Sequence, residues 1–324
     1  MSITTLNNFK VYNDYVQSGL FESIAQNTQA FNGASANTLV AKVLARKGNF
    51  AYSSFFKNAA GVSRRDIGDV SAVTPVTLTM DEEISVKLNR RWGPFQLTLD
   101  AIKKLGNTPE EVSYNMGLAF GEQKVQDWLN SSLSAAAAAL GNVAANTLDI
   151  TGDTTKTLTA GALADAIYKL GDKAGQVRAF VMHSAPYKDL MKDAIANKIY
   201  GEANLVVYGA APGTLGRPVI VTDSPALVVA GTPNLYHTLA LVENSIVVEE
   251  SESPDLVSLV LPGLANLTLS LQGEFAFNLG VKGFKFDVAN GGVNPDATAL
   301  TTGSNWDQVA TSTKDLAGVC IISQ

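Results

Sequence analysis

Few side chains in this sequence are suited to covalent or acid–base chemistry. Histidine occurs twice, as His183 and His237, and cysteine once, as Cys320. His183 beside Ser184 places an imidazole next to a hydroxyl, the pair used in nucleophilic catalysis. Such a triad is defined by geometry, however, and adjacency alone assigns no acidic partner. Neither histidine has a second one at helical or strand spacing, so no metal site is expected. Cys320 sits in the apolar run Val319-Cys320-Ile321-Ile322, where an inert buried thiol is the expectation. There is no Gly-x-Ser-x-Gly elbow, no phosphate loop, and no Gly-x-Gly-x-x-Gly turn after a strand. The expectation is therefore no catalytic residue, no metal and no cofactor: a protein that is not an enzyme.

What remains is charge. Arg64-Arg65 and Arg90-Arg91 are the densest basic spots; Asp81-Glu82-Glu83 and Glu249-Glu250 are the acidic ones. Each reads most simply as a solvated or ion-paired face. The whole chain carries 24 basic and 30 acidic residues, a net charge of −6, unlike the basic footprint of a dedicated nucleic-acid binder. A single cysteine excludes an intrachain disulfide framework. The first 26 residues lack the pattern of a secretory signal, and no run of 18 apolar residues occurs, so a soluble protein made in a cytoplasm is expected. At 324 residues the chain is long enough for two domains. Only 17% of residues are charged, which fits either a compact enzyme core or extensive burial against partner subunits.

The elements that must position these residues follow from periodicity. Residues 1–50 are polar, with scattered aromatics (Phe9, Tyr12, Tyr15, Phe21, Phe31), and suggest an arm that docks on the body or on a neighbour. Val73, Val76 and Leu78, then Ile84, Val86 and Leu88, alternate as β-strands, with a turn expected at Thr79-Met80-Asp81-Glu82 and a break at Trp92-Gly93-Pro94. Thr108-Pro109-Glu110-Glu111 is a helix start, and Gly141-Asn142 a stop. The helix between them is apolar on two sides and must be covered on two sides. Further on, helices at Leu158–Asp172 and Ala185–Ala196 alternate with strands at Arg178–Met182, Leu205–Tyr208, Val219–Thr222, Leu235–Val242 and Ser245–Glu250, which argues for a mixed α/β unit. Strands return through Phe275–Val281, Phe284–Val288 and Val319–Ile322.

Several phrases in the second half, in this order, resemble the major capsid proteins of tailed bacteriophages. They are Ala164-Asp165-Ala166-Ile167-Tyr168-Lys169-Leu170-Gly171-Asp172, Val181-Met182-His183-Ser184, and Tyr187-Lys188-Asp189-Leu190. Gly216-Arg217-Pro218-Val219-Ile220-Val221-Thr222-Asp223-Ser224 follows, and Asn294-Pro295, Asn305-Trp306 and Lys314 close the series. The front half is similar in architecture only.

The resemblance implies an α+β protein of the Johnson (Hong Kong ninety-seven) type. Its parts would be an N-terminal arm at 1–52, an extended loop at 53–95, and a peripheral domain with a spine helix at 96–158. An axial domain at 159–250 and a closing segment at 251–324, returning to the peripheral domain, would complete it. It implies self-assembly into hexamers and pentamers of an icosahedral head, with double-stranded DNA held by confinement and no membrane. Scaffolding, portal and decoration proteins are the other implied partners, the host bacterial cytoplasm the place of assembly and the virion the destination. Arg64, Arg65, Arg90 and Arg91 are then expected to pair with acidic residues such as Asp81, Glu82 and Glu83, within or between subunits. Lys57-Asn58 lies near the extended loop, but no covalent crosslink is expected. The same fold serves encapsulin compartments, which stands as the nearest alternative; an α/β enzyme using His183 or His237, and a tail or decoration protein, are the others.

Overall fold

The computed structural model describes residues 35–42, 50–56, 80–98, 109–196, 214–261 and 265–324, with residues 33, 67, 68, 71, 100 and 101. Two large sheets and one long helix organise them, with a further two-stranded sheet of β11 (Phe284–Phe286) and β12 (Trp306–Gln308). The first sheet has the order β1-β9-β10-β3-β2, built from β1 (Leu39–Lys42), β2 (Phe50–Phe56), β3 (Met80–Thr98), β9 (Ile246–Leu261) and β10 (Thr268–Val281). The second runs β4-β13-β8-β5-β6, from β4 (Thr147–Asp149), β5 (Val177–Met182), β6 (Val219–Val221), β8 (Leu235–Val242) and β13 (Gly318–Ser323); β7 (Val228–Val229) also pairs with β8.

Helix α1 (Pro109–Gly141) matches the expected start and stop. Its 33 residues span about 50 Å at 1.5 Å per residue. The first half leaves Met116's neighbours Asn115 and Ala119, then Glu122 and Gln126, on an exposed stripe, while Phe120, Lys124 and Trp128 face the first sheet. The second half, including Leu133, Ala135, Ala136, Ala139 and Leu140, is buried in one cluster with Leu239, Leu241 and Cys320 of the second sheet and with Leu300, Trp306 and Leu316. The cover that this half of the helix requires is thus supplied by the chain itself. The alanines make this possible: a slim surface lets sheet and C-terminal segment approach closely.

Strand alternation explains the second sheet. Leu239 and Leu241 on β8, with Val181 and Cys320, face α1. Ala240 and Val242, with Phe180, Met182, Val319 and Ile321, face the opposite cluster, which holds Leu163 and Ile167 of α2 (Ala160–Tyr168) and Leu190 of α3 (Ser184–Ala196). Both faces are covered, so these strands read as continuous apolar runs rather than alternating ones. Thr159 caps α2 by accepting the Ala162 N–H at 3.2 Å.

Several expectations are corrected. Met80, Asp81 and Glu82 lie inside β3, not in a turn, and β3 pairs antiparallel with β2, Phe55 opposite Asp81. Residues 73–78 lie outside the described residues, as do Leu205–Tyr208. β3 continues through Trp92-Gly93-Pro94 to Thr98, because Gly93 takes φ +80° and a side chain there would meet the Leu271 carbonyl at 2.8 Å. Val288 begins a short helix, α4 (Val288–Gly291), capped by Asp287, instead of extending β11 (Phe284–Phe286). The end of the segment 1–50 docks on the body, one of the two expected outcomes: β1 pairs parallel with β9, and Leu39 and Ala41 are buried. The expected boundary at 250 falls inside β9, and the C-terminal strand pairs within the second sheet. Among the described residues, no helix is long and apolar enough to cross a membrane.

Candidate assembly surfaces

Of the charged residues singled out, Arg64 and Arg65 lie outside the described residues. Asp81, Glu82 and Glu83 occupy successive positions on β3 opposite Phe55, Ser54 and Ser53. Arg90 and Arg91 follow on the same strand, and period-two alternation sends them to opposite faces. Arg90 turns toward α1, where Nε donates to Asp127 Oδ2 at 2.9 Å and Nη2 to Ser131 Oγ at 3.3 Å, with the guanidinium 5.9 Å from the Phe277 ring centroid. Its partner is therefore Asp127, within the subunit. The acidic run begins nine residues away on the same extended strand, about 30 Å off at ~3.4 Å per residue, beyond any side chain's reach. Arg91 is exposed on the other face, directly across from Glu274 in the β3–β10 register.

Between α1 and the first sheet lies an aromatic stack with a charge inside it. Trp92 stacks on Phe120 at 4.6 Å, Phe120 meets Phe275 edge-on at 5.6 Å, and Trp128 meets Phe277 at 6.1 Å. Trp92 Nε1 donates to Gln123 Oε1 at 2.8 Å. Lys124, whose side chain is 0% exposed, pairs with Glu250 and sits over the rings of Trp128 (4.9 Å) and Phe275 (5.5 Å). Burial pushes the Lys124 ammonium below its ordinary value, and the Glu250 carboxylate opposes that shift. This pair ties α1 to β9. Sequence reading placed Glu250 on a solvated face, since nothing in the sequence marks Lys124 as its partner.

His183 precedes α3, and its Nδ1 accepts the Ala185 N–H at 3.2 Å, so the ring caps the helix. Ser184 Oγ lies 3.4 Å from that same nitrogen, and Nε2 lies 3.5 Å from Asp223 Oδ1. A catalytic imidazole would keep a lone pair free for the serine proton; here the nitrogen facing Ser184 already holds a backbone N–H. The Ser184 hydroxyl, and less strongly its backbone N–H, hold the Asp223 carboxyl below the usual range.

His237, on β8, is largely withdrawn from water, which pushes its pKa below the ordinary 6.5. The unfolded chain then takes up a proton near pH 6.5 while the folded one does not, so stability should fall as pH drops through that value. Urea midpoints measured between pH 7.5 and 5 should show this loss, and His237→Gln should flatten part of it. An unchanged slope would mean that the imidazole is solvated. Burial also pushes the Cys320 thiol up to about 12, which keeps it protonated at neutral pH. Among the described residues no group of His, Cys, Asp and Glu is placed to hold a metal.

The phrases noted in the sequence come together in space. Lys314 donates to Asp172 at 2.7 Å, and Lys173 pairs with Asp315, a reciprocal double bridge. Gly171 keeps the approach open: its φ is +58°, and an added Cβ would stand 3.2 Å from Lys314 Nζ. Arg217 Nη2 donates to the Ala174 carbonyl at 3.0 Å. Asp223 meets the His183-Ser184 pair, Asn294 Oδ1 accepts the Asn89 N–H at 3.2 Å, and Trp306 Nε1 donates to the Leu300 carbonyl at 3.1 Å. Most of these short motifs thus tie together segments far apart in the sequence, while Trp306 fixes a local turn to Leu300.

The sequence matches the family described as "Major capsid protein 13-like" (Gp13-like) over residues 8–320. No curated protein matches it significantly. The fold is similar to the capsid of Helicobacter pylori bacteriophage KHP30, described as acid-stable, with TM-score 0.54 and 11% identity over 90% of this chain and 89% of that one. It is also similar to the capsid of Ralstonia phage GP4, with TM-score 0.51 and 11% identity over 88% and 87% of the two chains. At such identities the structures speak for the fold, a phage capsid fold, while the family match covers nearly the whole sequence. The chain belongs to the Gp13-like family of major capsid proteins, the structural proteins of the virion's shell.

Proposed function

We propose that this protein forms the hexamers and pentamers of an icosahedral phage head enclosing double-stranded DNA, and that its work is assembly without catalysis. The observation that carries the reading is the family match from residue 8 to residue 320, on a chain that folds like phage capsids. In this reading α1 with β9 and β10 belongs to the peripheral domain, residues 53–95, which hold most of β2 and β3, make the extended loop, and residues 1–52 make the arm. The second sheet, with α2 and α3, makes the axial domain, to which the C-terminal strand contributes. Assembly takes place in the bacterial cytoplasm, with scaffolding, portal and decoration proteins as partners. DNA is held by confinement, since a net charge of −6 offers little attraction for phosphate. Each contact between copies is weak alone, and closure of many makes the shell persist.

Negative-stain electron microscopy of the purified chain, with its scaffolding protein if one is required, should show closed polyhedral particles or rings of five and six. Persistent monomers or dimers under both conditions would defeat the proposal. Arg64 and Arg65 are assigned here to contacts between subunits: Arg64→Glu with Arg65→Glu should leave a folded subunit that yields few particles. Normal particles from that variant would remove the two arginines from the interface.

A further inference from the structure

Among the described residues, the end of β9 from Asp255 to Leu261 is paired on one side only: β10 holds that side as far as Leu261, while the pairing of β9 with β1 runs from Ile246 to Glu249. The outward-facing residues there are apolar: Val257 is 64% exposed and Leu259 59%. They form one side of a groove whose other side, on β10, is Ser270, Gln272 and Glu274. Soluble proteins guard such edges with charges, prolines or bulges, because free N–H and C=O groups template pairing with another chain. Here Pro254 and Asp255 protect only the start, and from Leu256 to Leu261 there is no charge at all.

We infer that β9 pairs edge to edge, antiparallel, with β9 of a second copy across a twofold axis centred on Ser258, joining two subunits into one continuous sheet. This rests on the shell reading above, which makes further copies of the chain the partner at hand. The segment is self-complementary in that register. Val257 faces Leu259 of the other copy and Leu259 faces Val257, so both exposed residues gain an apolar neighbour on the same face. Leu256 faces Val260, and Asp255, the sole charge, faces Leu261, so no like charges meet. Pro254, which cannot donate to a ladder, lies outside the paired stretch. A contact of this kind is isologous and needs a twofold, which icosahedral symmetry provides.

The test uses cysteines, because the native Cys320 is fully buried. Opposed residues in an antiparallel pair have Cα atoms about 4.5–5.5 Å apart, within disulfide range. Val257 and the same residue of the other copy would be diagonal, at roughly 7–8 Å, which a disulfide does not bridge. Particles of the double variant Val257→Cys/Leu259→Cys, and particles co-assembled from the two single variants, should on oxidation yield a reducible band at twice the 34.1 kDa chain mass. Particles of either single variant alone should not. Particles that form but give no such band, or give it equally with one single variant, overturn the pairing and leave the shell reading intact. If the unmodified chain forms no particles, the shell reading fails and the pairing with it. Should the cysteine variants not assemble, hydrogen exchange on the unmodified chain decides. Amides of residues 255–261 should exchange at least tenfold more slowly in particles than in free subunits, and unchanged exchange overturns the inference.

Discussion

Lys124→Ala should destabilise the free subunit by about 3–5 kcal/mol, the usual cost of removing one member of a buried ion pair. The substitution leaves the Glu250 carboxylate, only 7% exposed, without its partner, and strips the cation from between Trp128 and Phe275. It also opens a void under the middle of α1. The double replacement Lys124→Met/Glu250→Leu should recover most of the loss, because apolar residues of similar volume often serve as well as a buried pair. Urea unfolding of the two single variants and the double variant gives the coupling directly. A loss below about 1 kcal/mol for Lys124→Ala would show a solvated pair, since exposed pairs contribute no more than that. The pH dependence has a definite sign. With the folded Lys124 pKa below the ordinary 10.5, the unfolded chain binds more protons between the two values, so this residue should make stability rise with pH in the alkaline range below 10.5. Lys124→Met should remove that rise.

Gly318→Ala should be at least as damaging, on the order of 4 kcal/mol or more, the range reached only by severe disruption of a core. Gly318 opens β13 opposite Leu241 of β8 with φ +154°, and a Cβ there would lie 2.0 Å from the Ala240 carbonyl oxygen and 3.0 Å from its carbon. These are backbone atoms of a central strand and cannot turn aside. β13 must therefore shift away from β8, and with it Val319, Cys320 and Ile321, all 0% exposed and shared between the two clusters on either side of the sheet. Gly141→Ala is the control: at the last residue of α1, with nothing within 4 Å, it should be neutral or stabilise by about 0.5–1 kcal/mol. Equal behaviour of the two variants in thermal unfolding would refute the steric argument.

Local chemistry in the sequence determined the elements whose signals lie within a few residues. The first-turn proline of α1, its glycine stop, and the apolar runs of β5, β8 and β13 are all of this kind, because propensity and periodicity act over short spans. The order of short phrases in the second half was enough to point to the capsid family, because it is legible along the chain without any knowledge of which segments meet. Which halves meet was a matter for tertiary structure alone. Asp172 and Lys314 lie 142 positions apart, and Lys124 and Glu250 lie 126 apart, and no periodicity links residues at such distances. The partner of β3 was likewise decided by the fold: strands alternate in the same way whichever neighbour they take, so β2 was as compatible with the pattern as residues 73–78. Pro254 hid the second half of β9, because proline argues against a central strand, and in the fold it falls at a bulge where the register with β10 passes it over. Cover for α1 was legible as a need, from its two apolar sides. That the chain meets this need with its own C-terminal segment follows only from packing, because burial depends on which surfaces meet in space and not on their order along the chain.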